Sequence, residues 1–500
     1  MSPWDYLIAL TYVVGTVACG FYFARRQTTS EQYFLGGRRF GWFPLGLSMV
    51  ATLVSTTSFL AFPSETYEHS LTIVCYIIGI PPALLLVQKV FIPFYRRQNL
   101  TSIYEYLEVR FGTGVRALTS AMFVLMRLVW MAVAVHSAAL AVSAMTGLAI
   151  TPLIFAIGAA AVLYATLGGI SAVIWTDVVQ FFIFFGGLAG AVIYVAMKID
   201  GGLPQIFQAA FEAGKFDILS AEYLVPDPRT RVTVWWAALQ SFTWLVATYG
   251  SDQLVAQRYL AARSTRDATR SIWANFLCGD ILLTLVQVGA GLALFAFFLQ
   301  LPELLPADTP ADQVFPHFIA HQLPVGISGL ILAALAAAIM SSIDSGIHSI
   351  STVCTIDFYQ RFRPSPPSDA QKLRFARVLM PVLGLSVCML AAFAVGGSGE
   401  SIVERAQRPT GFLVGPILGV FVLAIYVRSA GSVAVWIGVA GGLTVGLLVA
   451  FGHELPGLAL PELSFALPLP CSAAATIICG ASAARVLRKT SSLGRIEESK

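Results

Sequence analysis

"MSSIDSGIHS", Met340 to Ser349, follows the apolar run Gly329 to Met340 and sets an aspartate and four serines where a membrane helix is still under way. On a helix, Ala338, Ser341, Ser342 and Ser345 share one stripe by the i+3 and i+4 rule, and Asp344 adjoins Ser341 on its edge. Such a stripe offers hydroxyl and carbonyl oxygens plus one carboxylate, the ligands that a hard monovalent cation takes. A soft-metal site needs Cys or His, and His348 alone does not make one. A stripe of small residues is equally an ordinary helix-packing face, with Asp344 directed inward. Both readings stand on these residues alone.

Composition says what surrounds the stripe. Of 500 residues, 57% are hydrophobic and 12% charged, with mean hydropathy +0.76, whereas soluble domains carry roughly 25% charge. The chain reads as an all-α polytopic membrane protein whose first partner is the lipid bilayer. The seven cysteines are isolated and mostly inside apolar runs (Cys19, Cys75, Cys278, Cys388, Cys479), so neither a zinc site nor a disulfide framework is indicated. The net charge of +4 does not point to nucleic acid, because the basic residues are spread over short loops. No basic region precedes the apolar N-terminal stretch and no small-residue cleavage site comes before the Arg25-Arg26 pair, so it reads as a retained span.

Runs of about 20 apolar residues, the length of one span, number roughly thirteen: near 4–24, 42–65, 71–94, 116–145, 151–169, 173–197, 233–257, 272–300, 326–355, 375–397, 402–427, 431–451 and 468–486. Arg25, Arg26, Arg38 and Arg39 follow the first, Arg96, Arg97, Arg110 and Arg116 the third, Arg258, Arg263, Arg266 and Arg270 the seventh, and Arg361, Arg363, Lys372, Arg374 and Arg377 the ninth. All these loops share one face if the N-terminus is outside, and the positive-inside rule makes that face cytoplasmic. The polar, basic tail 487–500 then lies inside, and residues 1–500 form one transmembrane unit without a soluble domain of any size.

Ionisable groups at membrane depth cost around 2.5–3.5 kcal/mol each on insertion scales, so each marks a functional candidate. "LVSTTSFLAFPSETY" (Leu53 to Tyr67) carries four adjacent hydroxyls and Pro63, which reads either as back-bonding to the preceding turn or as a broken helix lining a cavity. "WTDVVQ" puts Thr176, Asp177 and Gln180 together on a helix, and "GSDQLVAQR" (Gly250 to Arg258) interrupts the seventh segment. Arg127 lies about ten residues, on the order of 15 Å, into its span. It either pairs internally, with Asp177, Asp280 or Asp344, or receives an anionic solute. His136 reads as a hydrogen-bonded packing residue.

At these residues the chain resembles the sodium/solute symporter family, sodium-coupled carriers of sugars, monocarboxylates, vitamins, proline, iodide and sialic acids. "GGISAVIWTDVVQ" (Gly168 to Gln180), "DQLVAQRYLAA" (Asp252 to Ala262), "AAIMSSIDS" (Ala337 to Ser345) and "GFLVGPILGVFVL" (Gly411 to Leu423) each resemble a family segment in the expected order. "FPSETY" (Phe62 to Tyr67) is most like the monocarboxylate, vitamin and iodide branch. The resemblance implies an inverted pair of five-helix repeats, near 42–197 and 233–427, each opening on a discontinuous helix, with 4–24, 431–451 and 468–486 as extra helices. It implies a co-transported sodium held by carbonyls of Ala51, Val54 and Ala338 and hydroxyls of Ser341 and Ser342. It also implies a second cation or proton site of Asp177, Ser341, Asp344 and Ser345, with Asp344 a departure, since relatives with that site carry a hydroxyl there.

The same resemblance suggests solute contacts at Ser55, Ser58, Thr248 and Gln407, with Arg127 nearby. Family sugar carriers have an acidic residue at the position of Ile77 and a tyrosine at that of Thr248, which argues against a hexose. Arg127, with Arg405 and Arg408, favours a small carboxylate, unless the latter two pair with Glu400 and Glu404. A sodium-coupled carrier of such a carboxylate in a plasma membrane, and a bacterial inner membrane in view of the short loops, is the resulting expectation. A sugar or sialic acid carrier and a transporter-like sensor are the rivals. No HExxH, GxSxG or DxD-type constellation suggests an enzyme.

Overall fold

A computed structural model of the chain describes residues 2–24, 29–54, 56–98, 100–218, 220–393, 395, 402–455, 457 and 460–497. Among them the regular elements are helices, with one isolated bridge between Phe40 and Ala262. A bilayer has no water to satisfy an open backbone, so a spanning chain closes its hydrogen bonds within helices. Ten described helices are long and apolar enough to cross a membrane, and up to eleven if the bent pair Trp42–Leu53 and Ser58–Glu68 is one span.

The roughly thirteen apolar runs include two more, and both are interrupted or short. One is Ile150–Leu163, which precedes a kink at Gly169 (φ 57°, ψ −169°). The other is divided into Val234–Gly250, of 17 residues, and Gln253–Leu260. Apolarity registers membrane depth, while helix continuity depends on backbone that polar residues interrupt. Trp4, Phe182, Ile193, Leu285, Val382 and Ile478 are each more than half exposed, the apolar outer surface that lipid covers.

Burial places the opening stretch at the centre of the bundle. In Ile327–Gln360, 83% of the most apolar stretch is buried, against 11% in Pro3–Phe23. The helix Ile327–Val353, called the serine helix below, joins two apolar cores. Its residues up to Ala338 pack with Ala51, Phe184 and Phe297, and those from Ile339 onward with Met131, Tyr259 and Val420. The polar stripe therefore begins at the seam between the cores.

Two helices break beside that seam. Trp42–Leu53 stops at Val54 (φ −80°, ψ 89°), the chain resumes as Thr56–Glu68, and the two pieces are bent by 61°. Val234–Gly250 stops at Ser251 (φ −138°, ψ 5°), and Asp252 starts Gln253–Leu260 by accepting the Leu254 N–H at 2.8 Å. Close approach holds the outer half of the first broken helix in place. A Cβ at Gly291 would lie 1.8 Å from Thr66 Oγ1 and 2.5 Å from the Pro63 carbonyl, so only glycine lets Thr284–Gln300 pack there.

Candidate functional site

A helix that stops leaves the carbonyls of its last turn without donors, and Ala51 is in that turn of Trp42–Leu53. Ala51 is fully buried in the same core as Ala338, and Val54 packs against it. On the serine helix, Ser341 Oγ and Ser342 Oγ both donate to the Ala338 carbonyl, at 3.1 and 3.0 Å, and both residues are fully buried. One turn on, Thr52 Oγ1 and Ser345 Oγ are 3.0 Å apart, which ties the broken helix to the serine helix.

Asp177 stands next to this contact. Its Oδ2 accepts from Ser48 Oγ at 2.5 Å, Thr52 Oγ1 at 3.3 Å and Arg258 Nη2 at 3.1 Å, while Oδ1 is buried without a partner. Arg258 also donates to Ser48 Oγ at 2.8 Å, Ser345 Oγ at 2.6 Å and Thr52 Oγ1. A guanidinium thus links Asp177 to Ser345, where a second cation was expected. Arg258, counted above with a cytoplasmic loop, is 1% exposed. The break at Ser251 is the reason: it restarts the helix inside the protein, so residues 253–260 run within the bundle.

Asp344 is fully buried, and its Oδ1 accepts the Ser345 N–H. Tyr12 of the first helix lies within electrostatic reach of both Asp344 and Asp177 and accepts from Gln180 Nε2 at 2.9 Å.

Arg127 is committed elsewhere. It forms a buried ion pair with Asp252, none of its three expected partners, at the second break. Tyr95 Oη donates to the Gly250 carbonyl at 2.5 Å and Tyr104 Oη to the Ser251 carbonyl at 3.1 Å, so three side chains hold this break. His136 Nδ1 lies 2.9 Å from the Ala391 carbonyl.

On the far side of the first break is a cavity of about 240 Å³. Val54 and Ser58 line it from the two sides of the break, Gln240 and Trp244 from the second broken helix, and Gln287 and Gln407 from beyond. Gln240 Nε2 donates to Gln407 Oε1 at 2.9 Å, and Gln287 Nε2 to the Ser58 carbonyl at 3.2 Å. Of the expected solute contacts, Ser58 and Gln407 are here, and Ser55 lies outside the described residues. Thr248 and Arg127 are not among the lining residues. Thr248 follows Trp244 on the same helix face, but the lining of that helix ends at Leu245.

The family model "Sodium:solute symporter family" matches residues 33–441. The chain belongs to the sodium:solute symporter family. A sodium/sialic acid symporter of Proteus mirabilis is 32% identical over 458 residues, 90% of each chain. A sodium-dependent multivitamin transporter of Oryctolagus cuniculus is 32% identical over 90% of this chain and 70% of that one. A solved sodium-coupled sialic acid symporter, substrate-bound and outward-open, superposes with a TM-score of 0.87 at 30% identity, covering 97% of this chain and 98% of that one. The symporter is accordingly an integral membrane transporter that co-transports sodium, and not an enzyme.

Three features of the symporter escaped the sequence reading: the depth of Arg258, the presence of Tyr12 at the acidic cluster, and Asp280 in the cavity wall. Only the "GSDQ" interruption signalled the first. Arg408 pairs with Glu462 at 2.5 Å and holds that loop carboxyl below its usual range. The side chains of Glu404 and Arg405, and Glu400, lie outside the described residues.

Proposed function

We propose that this symporter imports a small organic solute by alternating access, binding it in the cavity beside the first broken helix and binding sodium at Ala51, Val54, Ala338, Ser341 and Ser342. The observation that carries this is the double position of the first break. Val54 and Ser58 line the cavity, while Ala51 and Thr52, less than one turn earlier, face the serine helix. Sodium ordering this backbone would shape the solute site, and solute would in turn raise sodium affinity by the same factor.

The reading extends to two repeats near 42–197 and 233–427, an outside N-terminus and a cytoplasmic C-terminus. Asp344, fully buried next to Ser345, is assigned a proton or a further cation in this reading. Asp344→Asn would then change sodium stoichiometry or the pH dependence of uptake, and unchanged values of both would remove that assignment.

The expectation of a carboxylate solute drew on Arg127, Arg405 and Arg408. Two of these are paired with Asp252 and Glu462, and no Lys, Arg or His is among the described cavity lining. The relatives named as sialic acid symporters favour an anionic solute as the second reading. Uptake into proteoliposomes with and without an inward sodium gradient, across a panel of solutes, tests the proposal. Accumulation independent of sodium for every transported solute would refute it.

A further inference from the structure

Among the described lining residues of the cavity, one side chain is charged. Asp280 belongs to the π-helical stretch Phe276–Leu283, which continues Thr265–Asn275 and leads into Thr284–Gln300. A π-helical turn inside an α-helix shifts side-chain direction and recurs at functional sites. Gly279, the preceding residue, would set a Cβ 3.1 Å from Val50, so the wide turn is packed tightly against the first broken helix.

Asp280 has no cation of its own. Asn275 Nδ2 donates to its Oδ2 at 3.3 Å, and Tyr76 Oη, 2.6 Å from Thr284 Oγ1, lies 3.4 Å from its backbone carbonyl. No ion pair among the described residues includes it, and the described lining holds no basic side chain. Asn275, 3% exposed and also lining the cavity, donates to Tyr249 Oη at 2.7 Å and leaves its Oδ1 buried without a partner. This end of the cavity therefore carries a carboxylate with no cation among the described residues, beside a buried amide oxygen that has no donor.

The remaining wall is aromatic. Phe62, Tyr76, Trp130, Trp244 and Phe465 line it, with the Phe62 and Tyr76 rings 5.7 Å apart. Ring faces attract cations, most strongly when both are desolvated, and an unpaired carboxylate at membrane depth is costly until a positive charge reaches it. Arg127 stacks 5.0 Å from the Trp130 ring but is neutralised by Asp252. The volume, about 240 Å³, suits a small molecule.

We propose that the transported solute carries a cationic nitrogen, as a protonated amine or quaternary ammonium on an apolar body, and that Asp280 selects it. This rests on the reading of the cavity as the solute site.

Purified symporter is tested by thermal unfolding, with and without saturating sodium, against choline, phenethylamine and tyramine on one side and pyruvate, N-acetylneuraminate and galactose on the other. The expected result is stabilisation of the sodium-loaded protein by at least one of the amines and by none of the anions. Asp280→Asn, which keeps the shape and hydrogen-bonding capacity but not the charge, is expected to weaken that amine about 10- to 100-fold. Sodium alone should stabilise the variant as it does the wild type, which shows that the variant is folded. Stabilisation by an anion or the sugar that Asp280→Asn leaves unchanged overturns the inference, as does the absence of any amine effect. Amine binding that needs Asp280 but not sodium upholds it and overturns the coupling instead.

Discussion

Ser341 and Ser342 each direct a hydroxyl at the Ala338 carbonyl, leaving oxygen lone pairs on a fully buried seam. As the proposed sodium ligands they make a sharp prediction. Ser341→Ala and Ser342→Ala each lose one charge-assisted contact, so sodium affinity should fall about 10- to 100-fold, measured by sodium-dependent thermal stabilisation. Arg258 makes the opposite kind of prediction. Its side chain is 1% exposed and that of Asp177 0%, so Arg258→Met leaves a buried carboxylate alone and should cost about 3–5 kcal/mol in chemical unfolding. A loss under about 1 kcal/mol would show that Asp177 is not ionised against Arg258. The serine stripe was legible in the sequence because i+3 and i+4 spacing fixes a helix face whatever the tertiary context. The place of Arg258 was not, since an arginine at the end of an apolar run reads as a loop unless the helix is known to restart inside the protein.

Both broken helices announce themselves as polar interruptions, "LVSTTS" in one and "GSDQ" in the other, because a chain in lipid leaves its helix only where side chains or a cavity receive the freed backbone. Asp252 holds the second break twice, as the cap of Gln253–Leu260 and as the partner of Arg127. Asp252→Ala should therefore destabilise by more than the roughly 1 kcal/mol of a lost cap, approaching about 3–5 kcal/mol for the abandoned charge. Asp252→Ala combined with Arg127→Met should recover most of that loss, and a strictly additive double variant would contradict the pairing. What no periodicity betrays is the π-helical register at Phe276–Leu283. One extra residue in a turn moves Asp280 to the cavity wall, and the sequence alone reads it as a partner for Arg127.

At the scale of the molecule, alternating access needs contacts that one state makes and the other gives up. Arg116 and Arg361 donate to Glu108 at 2.6 and 2.5 Å, and Arg116 bonds Asp357 as well, which joins Glu105–Phe111 to the π-helical turn Cys354–Gln360 that continues the serine helix. Burial alone would raise the Glu108 carboxyl, but the two arginines outweigh it and hold it below its ordinary 4.5. A carboxyl held low stabilises above its unfolded value and loses that contribution as pH falls through the folded one. The wild type should therefore lose thermal stability below pH 4.5 more steeply than Glu108→Gln, and parallel pH profiles would exclude the network from the folded state. The membrane potential adds about 2.3 kcal/mol per charge per 100 mV to uptake, so sodium moving with a cationic solute doubles its leverage. The central claim is that sodium at the serine stripe governs the solute cavity through the shared broken helix. Its most direct test is solute affinity in wild type and in the Ser341→Ala, Ser342→Ala double variant, measured with and without sodium by thermal shift on the purified protein. The account predicts tight, sodium-dependent solute binding in the wild type and weak binding in the variant that sodium no longer improves; a variant whose solute affinity still rises with sodium would contradict it.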